Sequence, residues 1–124
     1  MQKHHHVALV VEDDRDIREM IVEVLGDEAF TVHAAEDGRE ALRLIDETME
    51  GYCAVLLDLM LPHVSGVEVL RHLRSVDSDV RVIAMSASRD HIAEAIKAGA
   101  TLAIPKPFDI EDMLAILTRH CPRE

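Results

Sequence analysis

Short runs of aliphatic residues recur along the chain and alternate with more polar segments. Five runs are continuous and short enough to predict buried β-strands. They are VALVV (7–11), FTVHAA (30–35), CAVLLD (53–58), VRVIAMS (80–86) and TLAI (101–104). Strands that are apolar at consecutive positions are typical of parallel sheets covered on both faces.

The segments between and after these runs place apolar residues three and four positions apart, which predicts five amphipathic helices. Asp14 is placed to cap the first helix and Gly26 to end it. The residues that the spacing assigns to buried faces are Ile17, Met20, Ile21, Val24 and Leu25, then Ala41, Leu42 and Ile45, then Val67, Leu70 and Leu73, and finally Ile110, Met113, Leu114 and Leu117.

Local signals also predict where the later helices begin and end. Ser65 and Glu68 have the spacing of a capping box at the start of the third helix. The fourth helix is predicted from about residue 89 to 98, before Gly99, and the fifth begins at Asp109.

Strict alternation of strands and helices predicts an α/β fold with a five-stranded parallel sheet and helices on both faces. The common doubly wound, flavodoxin-like order for five such units is 2-1-3-4-5. This order places the first and third strands side by side where the winding direction reverses. Ligands of such sheets bind beyond the carboxyl ends of the strands at that point.

The length of 124 residues fits a single domain. We expect residues 7–120 to form the folded core. Residues 1–6, which include His4, His5 and His6, are expected to be disordered or to come from an expression tag.

The chain is strongly acidic, with 24 Asp and Glu residues against 13 Lys and Arg residues and a formal net charge of −11. This charge disfavours direct binding to nucleic acids and to anionic membranes. No apolar segment reaches the roughly 20 residues of a membrane span, and the N-terminus lacks the apolar core of a signal peptide. We therefore expect a soluble, cytoplasmic protein.

The two cysteines, Cys53 and Cys121, have neither a metal-binding spacing nor the pattern of a disulfide framework. They are interpreted as free, buried or incidental thiols in a reducing compartment.

Acidic residues follow two strands that the predicted order makes neighbours. Glu12 and Asp13 end the first strand and Asp58 ends the third. Three carboxylates in one crevice repel one another unless a cation lies between them. Hard oxygen ligands suit Mg²⁺, with Mn²⁺ as a second candidate.

Two further polar groups follow the fourth and fifth strands. Ser86 ends the fourth strand, and Lys106 lies between Pro105 and Pro107 after the fifth. A carboxylate nucleophile at Asp58, metal ligands, a hydroxyl and an ammonium at one edge are the groups that phosphoryl transfer requires.

The chain resembles the receiver domain of two-component response regulators (CheY-like) from VALVVEDD through LLDLMLPHVSG and MSA to GATLAIPKPF. Gly66 and Gly99 also occupy positions where that family has glycine. The resemblance implies that Asp58 is the phosphoacceptor, that Asp13 binds Mg²⁺ directly, and that Glu12 acts through water. It also implies a metal-binding backbone carbonyl at Met60.

The resemblance further implies that Ser86 and Lys106 bind the phosphoryl oxygens and that the Lys106–Pro107 bond is cis. The implied phosphoryl donor is a sensor histidine kinase or a histidine phosphotransfer protein. The implied readout is the face formed by the fourth helix, fifth strand and fifth helix. This face would bind a downstream protein or an output domain absent from this chain.

Two residues depart from the family pattern. Ala103 replaces the usual aromatic residue three positions before the lysine. It therefore remains open how a partner recognises the phosphorylated state. Pro105, directly before Lys106, removes a backbone donor at the end of the fifth strand.

Two alternatives remain beside a phosphoacceptor signalling domain that is not an enzyme. One is a Mg²⁺-dependent phosphatase of the haloacid-dehalogenase type. It would require a second Asp where this chain has Met60, and usually a longer chain. The other is a receiver-like binding module that signals without phosphate.

Overall fold

The computed structural model describes residues 6–48, 51–77 and 79–122, within which five strands alternate with five helices. The strands are β1 (Val7–Val11), β2 (Thr31–Ala35), β3 (Ala54–Asp58), β4 (Arg81–Ser86) and β5 (Leu102–Pro105). The helices are α1 (Arg15–Asp27), α2 (Gly38–Glu47), α3 (Gly66–Val76), α4 (Arg89–Lys97) and α5 (Ile110–His120).

The strands form one parallel sheet in the order β2-β1-β3-β4-β5. Val11 lies opposite Leu57, and Asp58 lies opposite Met85. The carboxyl ends of β1, β3 and β4 are therefore level with one another at one edge of the sheet. The predicted fold class and strand order are confirmed.

Alternate residues of the central strand β3 supply the two faces of the core. Val55 and Leu57 pack with residues of α2, α3 and α4, whereas Ala54 and Leu56 pack with residues of α1 and α5. All five residues of β3 are buried. Helices on both faces thus explain why the strand is apolar at consecutive positions.

The first helix begins as predicted but ends differently. Asp14 caps it by accepting a hydrogen bond from the Ile17 N–H at 3.1 Å. The prediction that Gly26 ends it is wrong, because α1 continues to Asp27 and Ala29 adopts the left-handed conformation (φ 68°).

The buried face of α1 is smaller than predicted. Met20 was assigned to this face but is 43% exposed, and the fully buried residues of α1 are Ile21 and Leu25.

The other predicted helix signals are confirmed. Ser65 and Glu68 form both hydrogen bonds of a capping box at α3. Gly99 follows α4 with φ 108°, a conformation that glycine adopts without a steric penalty. The Asp109 side chain caps α5.

The interpretation of the cysteines as free thiols is wrong, because Cys53 and Cys121 are joined in a disulfide. Cys53 directly precedes β3 and Cys121 directly follows α5, so both lie at the amino-terminal end of β3. Their Cα atoms are 5.9 Å apart although the residues are 68 positions apart in the sequence. Only the folded path of α5 across the sheet brings them together.

The first described residue, His6, contacts the fold. Its ring stacks on Phe30 with ring centroids 3.8 Å apart, and its carbonyl accepts a hydrogen bond from the Thr31 N–H at 2.9 Å. The expectation for residues 1–5, which include His4 and His5, lies outside the described residues. None of the helices in the described part of the chain combines the length and the apolar character needed to cross a membrane.

Candidate functional site

The carboxyl ends of β1 and β3 bring three acidic side chains together. Glu12 and Asp13 follow β1, and Asp58 is the last residue of β3. Each offers a carboxylate oxygen, and these oxygens lie within 4.8 Å of one another. Glu12 and Asp58 are buried, whereas Asp13 is exposed. These three side chains are therefore a group that could hold a metal ion, with Asp13 on the solvent side.

Lys106 supplies positive charge to the two buried carboxylates. Its Nζ donates hydrogen bonds to Asp58 Oδ2 and to Glu12 Oε1, each at 3.0 Å. Burial by itself would lower the pKa of Lys106, but the bonds to Asp58 and Glu12 outweigh burial and raise that pKa. The ammonium therefore stays charged.

Burial shifts the pKa of Glu12 strongly. Burial raises its pKa to about 7, with the neighbouring Asp58 adding to the rise and Lys106 opposing it. Glu12 Oε2 accepts a hydrogen bond from the Asp14 N–H at 3.2 Å. A buried glutamate with a raised pKa is ionised near neutral pH only where cations lie close by.

Arg18 is a site neighbour that the sequence-based prediction missed. Its Nη1 donates a hydrogen bond to the Glu12 carbonyl oxygen at 2.9 Å, so α1 holds the backbone of the acidic segment. A charged residue on an amphipathic helix ordinarily faces solvent. The sequence carries no signal that separates Arg18 from other such residues.

The Asp58 carboxylate is fixed at both oxygens. Oδ1 accepts a hydrogen bond from the Met60 N–H at 3.0 Å, and Oδ2 accepts the bond from Lys106. Met60 is 56% exposed as a residue, and its backbone N–H is the group that contacts the carboxylate. Asp58 is thus a buried carboxylate with fixed hydrogen-bond partners rather than a loosely held surface acid.

Gly66, the first residue of α3, packs against the backbone that carries Asp58. A Cβ at this position would lie 2.5 Å from Leu59 Cα and 2.6 Å from the Asp58 carbonyl oxygen. The Gly66 N–H also donates to the Leu59 carbonyl at 3.2 Å. Only glycine permits this approach, so the packing of α3 against this backbone helps to fix the position of Asp58 at the sheet edge.

Ser86 and Lys106 are linked through the backbone at the same edge. The Ser86 carbonyl accepts a hydrogen bond from the Lys106 N–H at 2.9 Å, and its side-chain Oγ accepts one from the Ser88 N–H at 3.0 Å. Ser86 is fully buried and directly follows Met85, which lies opposite Asp58. The Lys106–Pro107 peptide bond is cis, as the resemblance implied.

A family model described as the response regulator receiver domain matches residues 8–118. The chain belongs to this family. This receiver domain is 43% identical over 110 residues to response regulator MprA of Mycolicibacterium vanbaalenii, an alignment that covers 86% of this chain and 46% of the relative. The chain spans about half the length of the curated relatives that it matches.

Solved receiver domains have the same fold. The receiver domain of the Francisella response regulator 1452 superposes with a TM-score of 0.83 at 29% identity, covering 92% of this chain and 94% of that one. A response regulator protein from Burkholderia pseudomallei was crystallised with a phosphorylated aspartic acid, a calcium ion and citrate. It superposes with a TM-score of 0.81 at 27% identity, covering 90% of this chain and 65% of that one.

Proposed function

We propose that this receiver domain accepts a phosphoryl group on Asp58 from a sensor histidine kinase or a histidine phosphotransfer protein. The observation that carries the proposal is the Lys106 ammonium, which bridges the buried carboxylates of Asp58 and Glu12. A carboxylate at a strand end, beside further acidic ligands and a charged lysine, has the groups that phosphoryl transfer needs.

Asp58 acts as the nucleophile. A carboxylate oxygen attacks the phosphorus of the phosphohistidine donor, so that a P–O bond forms as the donor's P–N bond breaks. The imidazole leaves with the electron pair of the broken bond and takes a proton from solvent. The hydrogen bonds from Met60 and Lys106 orient the Asp58 carboxylate before the donor arrives.

Lys106 and Ser86 bind the transferred group. The Lys106 Nζ already lies 3.0 Å from Asp58 Oδ2, within reach of an oxygen of a phosphoryl group carried there. Ser86 contributes a hydroxyl donor at the same edge. The backbone hydrogen bond between Ser86 and Lys106 sets the positions of the two residues relative to each other.

The donor set fits Mg²⁺, and Mn²⁺ would be accepted by the same oxygens. We assign the carboxylates of Asp13 and Asp58 and the carbonyl of Met60 as direct ligands, with Glu12 acting through water. When bound, Mg²⁺ neutralises negative charge on the acceptor and phosphoryl oxygens. The structure of the Burkholderia relative contains a phosphorylated aspartic acid and a calcium ion, which supports an aspartyl phosphate on this fold.

The readout is assigned to the face formed by α4, β5 and α5, where a downstream protein or an output domain would bind. Ala103 on β5 packs in the same apolar cluster as Ala95 of α4. Because an alanine has no ring to reorient, phosphorylation would be transmitted through movement of α4 and β5 themselves.

The test is labelling with acetyl phosphate in the presence of Mg²⁺, followed by intact mass spectrometry. The parent chain should gain one phosphoryl group, and Asp58→Asn should gain none. Asp27→Asn, which changes an exposed Asp at the end of α1, is the matched control and should be labelled like the parent. Equal labelling of the Asp58→Asn variant and the parent would refute Asp58 as the acceptor.

A further inference from the structure

A pair of cysteines, Cys53 and Cys121, lies at the opposite end of β3 from the acidic cluster. Cys53 directly precedes β3 and is half-buried, whereas Cys121 caps the end of α5 and is fully buried. The distance of 5.9 Å between their Cα atoms is typical of disulfides. We propose that these residues form a reversible dithiol–disulfide site that, when oxidised, ties the end of α5 to the start of β3.

The surrounding structure holds both cysteines in place independently of the bond. The Cys53 N–H donates to the Val7 carbonyl, and the Cys121 N–H donates to the Leu117 carbonyl, each at 2.9 Å. Cys121 also packs in the apolar cluster that contains Phe30. The reduced thiols therefore remain neighbours, so oxidation and reduction need no rearrangement of the sheet.

The difference in exposure between the two sulfur-bearing residues sets the order of reaction. Cys53 is partly exposed and Cys121 is fully buried, so the proposed reaction with small disulfide reagents begins at Cys53. The Cys53 thiolate attacks one sulfur of a low-molecular-weight disulfide such as oxidised glutathione, and one glutathione thiolate leaves. The Cys121 thiolate then attacks Cys53 Sγ, and the second glutathione thiolate leaves. Two protein thiols are oxidised to one disulfide while one glutathione disulfide is reduced to two thiols.

The disulfide restrains the end of α5 rather than the acidic cluster. It closes a segment of 68 residues that runs from the start of β3 through α5. A closed segment of this size strongly restricts the unfolded chain and so stabilises the folded one. Cys53 and Asp58 lie about 17 Å apart, at opposite ends of one extended strand. The inference therefore does not rest on the proposed function.

The first experiment incubates the full chain with oxidised glutathione, blocks the remaining thiols with an alkylating reagent and measures the intact mass. The parent should lose two hydrogens and resist alkylation, and reduction with dithiothreitol should restore two alkylatable thiols. Cys121→Ser should retain one glutathione on Cys53. Cys53→Ser should remain unmodified by glutathione, because Cys121 is buried.

Three results would overturn the proposal. The first is that the parent keeps two alkylatable thiols under conditions in which glutathione fully modifies the Cys121→Ser variant. The second is a stable glutathione adduct on the parent, and the third is a glutathione adduct on the Cys53→Ser variant.

The second experiment compares the oxidised and reduced parent by thermal unfolding and hydrogen exchange. Oxidation should raise Tm by roughly 10 °C and slow amide exchange in the last turn of α5. Cys53→Ser, the matched control, should unfold like the reduced parent in both buffers. Acetyl phosphate labelling should be equal in the two redox states even though Tm differs. An unchanged Tm and unchanged exchange in the oxidised parent would overturn the proposed tie.

Discussion

The ammonium of Lys106 lies 3.0 Å from Asp58 Oδ2, which joins the segment after β5 to the carboxyl end of β3. The two residues are separated by most of the second half of the chain and meet only because the sheet order makes their strand ends converge. This ion pair explains how a carboxylate can end a fully buried strand. It also places a cation beside the proposed acceptor before any metal or phosphoryl group arrives.

Replacing Lys106 with Met should destabilise the domain, because Asp58 and Glu12 then remain buried without their cation. Loss of one partner from a buried ion pair costs about 2–3 kcal/mol where part of the lysine stays exposed, and the Lys106 side chain is 22% exposed. Urea unfolding in EDTA measures the loss. Adding Glu12→Gln to the Lys106→Met variant should restore part of it. Equal stability of parent and Lys106→Met would contradict the importance of this pair.

The pKa of Glu12 predicts a pH-dependent stability when divalent cations are removed. Its pKa rises from 4.5 in the unfolded chain to about 7 in the fold, so the folded state holds the proton more tightly. This contribution is fully present below the unfolded pKa and is lost as the pH rises through the folded pKa. The free energy of unfolding of the parent, relative to that of Glu12→Gln, should therefore fall between about pH 5 and about pH 8. A difference that does not vary with pH would refute the raised pKa.

Gly66 and Gly26 offer a matched pair of substitutions to alanine. At Gly66 the added Cβ meets the backbone at Leu59 and Asp58, so α3 must shift, at a cost of about 2–3 kcal/mol. At Gly26 nothing lies within 4 Å and the residue is helical, so alanine should stabilise by roughly 0.5–1 kcal/mol. Chemical denaturation measures both. Gly66→Ala should also slow acetyl phosphate labelling of Asp58. If both substitutions changed the free energy of unfolding in the same direction, the explanation by packing at Gly66 would be contradicted.

The sequence predicts features that depend on local periodicity and on chain order. The strand ends at Glu12, Asp58 and Ser86 follow from where each apolar run stops, and the sheet order then brings these ends together. The Cys53–Cys121 bond could not be predicted, because it depends on the folded path of α5 rather than on any spacing in the chain. The exposure of Met20 was also not predicted, because it too depends on how a helix lies in the folded chain.

Gly26 shows a different limit of sequence-based prediction. Glycine is favoured at the position that leaves a helix with positive φ, but Gly26 lies three positions before that point, inside α1. The residue that leaves the helix with positive φ is Ala29, which has no such compositional signal. The end of α1 therefore could not be placed from Gly26 alone.

The proposed metal ligand Asp13 and its neighbour Asp14 have different contacts, so variants of the two residues can distinguish metal binding from helix capping. Asp13 belongs to the cluster of carboxylate oxygens, whereas the Asp14 side chain accepts from the Ile17 N–H at the start of α1. Mg²⁺ should raise the Tm of the parent, and Asp13→Asn should weaken Mg²⁺ binding roughly tenfold or more, because it removes a charged ligand. Asp14→Asn keeps a good capping side chain and should retain most of the Mg²⁺ response. Titration of Tm against Mg²⁺ concentration checks both variants, and an equal loss of response in the two would place the metal elsewhere than on Asp13.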